Sequence, residues 1–297
     1  MPETEPLITV IVLNLNGSRI MDVICEGLIS LRIMGWDNYE LVLVDNGSTD
    51  GSREELARFL EGAGLRRYAL VDAGRNLGFT GGCNLGFANR SPGSELTLLL
   101  NSDAVLVPGS VRPLARRLLS DPGLGAVNGE ILDYGTGLLR DTPAFLDEFH
   151  APAAPAQMPP GDARAELEVT YPMGAAALLR NDAVLETSGG RGAVFDEEIF
   201  AYYDDTTLGL RLWSVGRRVL FLPVPSARHV GGASSTGAFK LFHALRGRAA
   251  LHVAAPGRYP ELELAYLWRT ALRAAVAART TWRARLPLKG RAVLAER

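Results

Sequence analysis

Four short apolar runs, each closing on polar residues, dominate the first third of the chain. They are LITVIVLNLN from Leu7, YELVLVDNGSTD from Tyr39, RYALVDAGRN from Arg67 and ELTLLLNSD from Glu95. Runs this short, rich in Val, Ile and Leu, read as strands buried on both faces. Helix-forming stretches lie between them: roughly Arg19 to Ile33, then one opening at Ser52 and stopping near Gly62 or Gly64. Ser52 and Glu55 have capping-box spacing. After the third run comes GRNLGFTGGCNLGFAN, a glycine-rich loop running into a helix. Strands alternating with helices restrict the chain to the α/β class, with a mostly parallel central sheet flanked by helices on both faces.

The alternation weakens after Pro122. Residues 125–132 read as one more strand, 151–163 (APAAPAQMPPGDA) as an exposed loop, and Glu168 to Arg180 as extended chain. DDTTLGLRLWSVG, residues 204–216, reads as a helix with an acidic first turn, ended by Gly216. RVLFLP is a further strand before the glycine-rich SARHVGGASS. From Glu261 the tail reads as helix, with Leu264, Trp268, Leu272 and Val276 at spacing four. The expected organisation is a catalytic domain over 1–235 and a helical extension over 236–297.

The totals exclude several classes. With 47% hydrophobic and 22% charged residues among 297, the chain has the composition of a globular protein with a full core. A net charge of −2 gives no overall sign of nucleic-acid binding. Cys25 and Cys83 cannot form a disulfide framework, which fits a reducing compartment. The acidic N-terminus is unlike a signal peptide, and no uncharged run is long enough to span a membrane, so the expected location is cytoplasmic. The charge is uneven, however: residues 261–297 carry +5 and the rest −7. The tail therefore has two readings, docking on an anionic membrane surface or packing on the body or on a second copy in a homodimer.

In open parallel sheets, ligands bind beyond the carboxyl ends of the strands. The first strand brings Asn14 and Asn16 to that edge, the second Asp45 and Asn46, and the fourth Asn101, Ser102 and Asp103. The loop after the third adds Arg75, Asn76 and five glycines between Gly74 and Gly86, which let backbone approach a ligand closely. Neither G-x-x-x-x-G-K-[ST] nor a G-x-G-x-x-G after the first strand is present, against a P-loop kinase or a dinucleotide dehydrogenase. An ionised carboxylate at the end of a buried strand needs a partner. For Asp103 a divalent cation, Mg²⁺ or Mn²⁺, shared with substrate phosphates would supply it. The alternative is a plain turn residue.

VIVLNLNG, LVLVDNGSTDGS, GRNLGFTGGCNLG, LLLNSD, FDEEIFAYYDDTTLGLRL and the late His229-Val230-Gly231-Gly232 occur in that order. Together, over roughly residues 6–235, they resemble the family 2 glycosyltransferases, in particular the rhamnosyltransferase-like branch that builds bacterial surface and cell-wall polysaccharides. The resemblance implies the GT-A fold, a nucleotide-diphosphate sugar donor, a divalent cation, an inverting mechanism and a saccharide or lipid-linked acceptor. It assigns Asp45 to the base and Asn14, Asn76, Gly82 and Asn84, with Arg75 beside them, to the nucleotide pocket. Asn101-Ser102-Asp103 matches the metal-binding DXD position, with Asp103 as its only carboxylate and His229 completing the metal shell. Asp204-Asp205 stands at the usual Glu-Asp pair, with Asp205 as catalytic base ahead of Asp204. Departures are Thr207 where many members have aspartate, Leu15 in place of a common tyrosine, and Gly190 to Val194 as an insertion.

Other readings stand beside these. Asp204 and Asp205 could cap a helix, His229 could be a loop histidine, and Phe200, Tyr202 and Tyr203 could be core rather than an acceptor platform. A nucleotidyltransferase would also join such a sheet to a metal carboxylate and a nucleotide. A non-catalytic sugar-nucleotide-binding assembly subunit would account for Thr207.

Overall fold

The computed structural model describes residues 5–141, 144–147, 152–153, 165–231 and 237–254, with the isolated positions 264, 268, 271 and 272. The first part is the expected alternation: β1 (Leu7–Asn14), α1 (Met21–Ser30), β2 (Tyr39–Asp45), α2 (Ser52–Gly62), β3 (Tyr68–Asp72), α3 (Gly78–Ala88) and β4 (Ser94–Asn101). β1 lies between β2 and β4, and β3 pairs with β2, all parallel. Alternate residues of β1 and β4 face opposite layers. Ile8, Val10, Leu96 and Leu98 join one apolar cluster with α1, α2 and α4 (Val111–Ser120), whereas Ile11 and Leu99 join a second with Phe87 of α3. That alternation is the period of two that a sheet covered on both faces requires.

Beyond β4 the sheet becomes mixed. β5 (Ala104–Leu106), β6 (Leu124–Asp133), β7 (Leu139–Asp141), β10 (Leu167–Glu168), β11 (Ala176–Arg180) and β12 (Arg218–His229) complete it, while β8 (Phe145–Leu146) and β9 (Pro152–Ala153) form a separate pair. β11 runs antiparallel between β4 and β6. The chain enters β11 at Ala176, opposite Leu100 at the carboxyl end of β4, and not through a crossover helix, so it must run backwards. The mostly parallel expectation therefore holds only for the β3-β2-β1-β4 half and for the β6–β12 pair. The anticipated capping box also differs. Ser52 Oγ accepts from Asn14 Nδ2 at 3.0 Å, and Asp50 Oδ1 accepts the Ser52 N–H at 3.1 Å instead.

α5 (Asn181–Thr187), α6 (Asp204–Ser214) and α7 (Gly237–Ala254) follow in the second half. Gly209 of α6 lies against chain: a Cβ there would sit 2.5 Å from Tyr171 Cα and closer still to the Thr170 carbonyl oxygen. Backbone cannot yield as a side-chain tip can. Gly209→Ala is therefore expected to cost about 1–3 kcal/mol, read as a lower denaturation midpoint at unchanged m-value.

Among the described residues no helix is long and apolar enough to cross a membrane. Most of the 151–163 loop and of the 261–297 tail lies outside the described residues. Leu264, Trp268 and Leu272, which are described, are helical and exposed.

Candidate active site

A cleft of about 500 Å³ opens at the carboxyl ends of β1 and β4, where the polar strand ends were expected to meet. Asn46, Asn76, Asn101, Ser102, Asp103, Asp204, Asp205 and His229 all line it. Arg75 and Asn76 line an adjoining pocket of about 290 Å³ with Leu77, Gly81, Glu197 and Phe200.

Four of the anticipated residues do not line either cavity. Asn14 is fully buried, and its Nδ2 donates to Asp45 Oδ1 at 2.9 Å and Ser48 Oγ at 3.1 Å. Asp45 Oδ2 accepts the Ser48 N–H at 3.0 Å, so one carboxylate oxygen is engaged by the turn after β2 and the other by Asn14 at the end of β1. Gly82 sits against Leu13, leaving no room for a Cβ. Asn84 brackets Phe195, donating to its carbonyl and accepting from its N–H, each at 2.9 Å. These residues brace the walls.

Asn46 does more than the sequence signalled. Its Oδ1 accepts the Leu77 N–H at 2.9 Å, and its Nδ2 donates to Gly78 O at 3.0 Å and Asn76 Oδ1 at 3.2 Å. One buried amide thus fixes the glycine-rich loop to the end of β2. Its position directly after Asp45 was the available clue.

Antiparallel pairing of β12 with β5 sets His229 opposite Ala104, and so beside Asp103 across 126 residues of sequence. His229 Nε2 lies 3.0 Å from Asp103 Oδ1 and 3.3 Å from Asn101 Nδ2, and Gly231 N–H donates to Asp103 Oδ2 at 3.1 Å. Burial pushes the Asp103 carboxyl up, but the His229 hydrogen bond and charge and the Gly231 N–H outweigh it and hold the group below the usual carboxylate range. The spacing suits a cation. Two neighbouring ligands on an octahedral ion with bonds of about 2.1 Å are themselves about 3 Å apart. Among the described residues no cluster of three His, Cys, Asp or Glu could hold a metal. A cation on Asp103 and His229 would therefore take its other ligands from phosphate and water, the usual habit of Mg²⁺.

Phe200, Tyr202 and Tyr203, which also line the cleft, all have positive φ, between 63° and 66°. Phe200 centres a γ-turn closed by Ala201 N–H to Ile199 O at 2.8 Å. Three bulky residues held in this region are costly and mark a segment fixed by its surroundings. Tyr203 starts α6, placing Asp204 and Asp205 in its first turn. Burial, then the Asp205 charge, pushes Asp204 above the ordinary carboxylate range, and burial pushes Asp205 up as well. Thr206 N–H donates to Asp205 Oδ1 at 2.7 Å, whereas Thr207 turns its hydroxyl back to Asp204 O at 2.9 Å.

A polar sheet edge, a carboxylate–imidazole pair and two raised carboxylates thus share one cleft. Residues 9–185, more than half of the chain, match the family model "Glycosyl transferase family 2". The chain belongs to glycosyl transferase family 2. Like this family 2 glycosyltransferase in fold is a mannosyltransferase of Pyrobaculum calidifontis solved with GDP-Man and Mn²⁺. The TM-score is 0.62 at 20% identity, over 99% of this chain and 80% of that one. In sequence it is 27% identical to the N-acetylglucosaminyl-diphospho-decaprenol L-rhamnosyltransferase of Mycobacterium tuberculosis, over 71% of this chain and 72% of that one. A protein of Pseudomonas fluorescens named uroporphyrinogen decarboxylase is 30% identical over 110 residues. That match takes in 34% of this chain and spans only 30% of the length of that relative.

The carboxylate pair gives the glycosyltransferase a pH signature. Raised folded-state values mean that the native state keeps protons which the unfolded chain has already lost, so stability falls as pH rises above about 4. Asp204→Asn removes the burial of that charge. Its melting temperature is expected to exceed the wild type's at pH 8, with the gap closing towards pH 4, as a calorimetric series would record.

Proposed function

We propose that the chain is an inverting glycosyltransferase that moves a sugar from a nucleoside diphosphate donor to a hydroxyl of a saccharide or lipid-linked saccharide. The observation that carries this reading is the sharing of one cleft by the Asp103–His229 pair and Asp205. Likeness to the Mycobacterium protein favours rhamnose as the sugar.

In this reading Arg75 and Asn76 face the nucleotide, and Asn46 keeps their loop in place. Asp103 and His229 hold a divalent cation, in keeping with the manganese of the Pyrobaculum mannosyltransferase complex. When bound there, a divalent cation would supply positive charge to offset that collecting on the leaving diphosphate. Asp205 removes the proton from the acceptor hydroxyl as its oxygen attacks the anomeric carbon. The attack comes from the face opposite the diphosphate, so the carbon–oxygen bond to phosphate breaks and configuration inverts. A carboxylate raised by burial is a better base near neutral pH than an ordinary aspartate. Single displacement leaves no covalent sugar on the protein, and no second carboxylate nucleophile is needed.

A thermal-shift panel of dTDP-, UDP- and GDP-sugars with and without Mn²⁺ tests this. One base class should stabilise the fold, by about 2.7 kcal/mol at a hundredfold excess over Kd, and only with the cation. Equal shifts without manganese, or none with any donor, would count against it.

A further inference from the structure

The cleft that holds Asp205 is lined in part by a helix that the transfer scheme leaves unused. α7 lies across the segment 199–203. His243 stacks on Phe200 with ring centroids 5.0 Å apart, and Phe239 meets His243 at 4.3 Å and the edge of Tyr202 at 6.4 Å. The approach is close because residue 247 is glycine: a Cβ there would sit 2.6 Å from Tyr202 O and 2.8 Å from Tyr203 Cβ. α7 therefore supports the strained turn that delivers Asp204 and Asp205. It also presents Phe239, 38% exposed, and Lys240 to the cleft itself.

We propose that Tyr202, Phe239 and Lys240 form the acceptor subsite, and that it takes a sugar ring carrying a phosphate group. The inference rests on the glycosyl-transfer reading for its direction. A general base touches the acceptor, so the acceptor lies among the groups that line the cleft with Asp205, and Tyr202, Phe239 and Lys240 are among them. Phe239 and Tyr202, whose rings are inclined at 64°, form an apolar corner for the C–H face of a pyranose. Lys240 pairs with no carboxylate among the described residues, and α7 contains no Asp or Glu. An ammonium with no carboxylate partner among the described residues, beside an aromatic corner, is a complement for phosphate. Neutral sugars would use the corner alone.

Glucose 1-phosphate and methyl α-glucoside, titrated by calorimetry without divalent cation, separate the two contributions. The phosphate-bearing sugar should bind about tenfold more tightly to the wild type, and Lys240→Gln should abolish that difference. Phe239→Leu should weaken both sugars alike, and Asp103→Asn should change neither. Equal affinities in wild type and Lys240→Gln, binding of neither sugar, or loss of the phosphate preference in Asp103→Asn would overturn the proposal. The melting temperature without ligand, measured on the same variants, reports folding, and the donor thermal shift of the wild type and Lys240→Gln keeps the two readings apart. No donor shift in the wild type removes the transfer reading, whereas an intact shift with an unresponsive Lys240→Gln removes the acceptor subsite alone.

Discussion

Asp205→Asn is expected to lower the transfer rate by about 10²–10⁴ while donor binding persists. The amide keeps the shape and can still accept the Thr206 N–H that Asp205 Oδ1 takes at 2.7 Å. It cannot accept a proton. The wild-type rate should therefore fall on the acid side with an apparent pKa above that of an ordinary aspartate, because burial holds the carboxyl protonated to higher pH. The residual rate of the variant should lose that limb. Asp204→Asn serves as the control: it changes the neighbour's charge and leaves the base in place, so its rate should stay near wild type. Rates of transfer across pH 5 to 9 check both variants. A Asp205→Asn enzyme within a few-fold of wild type, beside an inactive Asp204→Asn, would move the base by one residue.

The second large effect belongs to Asp103. Asp103→Asn retains an oxygen for the Gly231 N–H and loses the charge that meets His229. Changes to groups that merely orient a metal ligand cost about 10–100-fold in affinity, and loss of a ligand should cost at least that. Manganese-dependent donor affinity should accordingly fall by about 100-fold or more, with binding of the parent nucleoside unchanged. Calorimetric titration of donor with and without Mn²⁺ reads this directly. Equal donor affinity in variant and wild type would show that the diphosphate is held elsewhere.

Much of this was legible in the sequence because burial and alternation leave local marks. LITVIVLN and ELTLLLN are too apolar to be anything but buried strands, and DDTTLGLRLWS carries its helix period and acidic start on its face. Convergence of Asp103, His229 and Asp205 on one cleft came from motif order, since no local property links residues 126 positions apart. What escaped was the direction in which side chains turn. Asn14 and Asp45 read as ligand groups because they end a strand, yet they bond each other and the turn after β2, through Ser48. Ser52 had the spacing of a cap and is occupied by Asn14. The strained turn at 200–203 was invisible because nothing in FAYYD announces positive φ, which glycine or asparagine normally signals. The antiparallel β11 depends on where a long excursion re-enters the sheet, a property of the whole chain.

The most direct test is to incubate the protein with dTDP-, UDP- and GDP-sugars, Mn²⁺ and a sugar phosphate acceptor, and to follow the products by NMR. The expected result is release of a nucleoside diphosphate from one donor class, dependent on the cation, with the new glycosidic bond of opposite anomeric configuration to the donor. Release of a nucleoside monophosphate, or a product that retains the donor's configuration, would contradict single displacement assisted by Asp205.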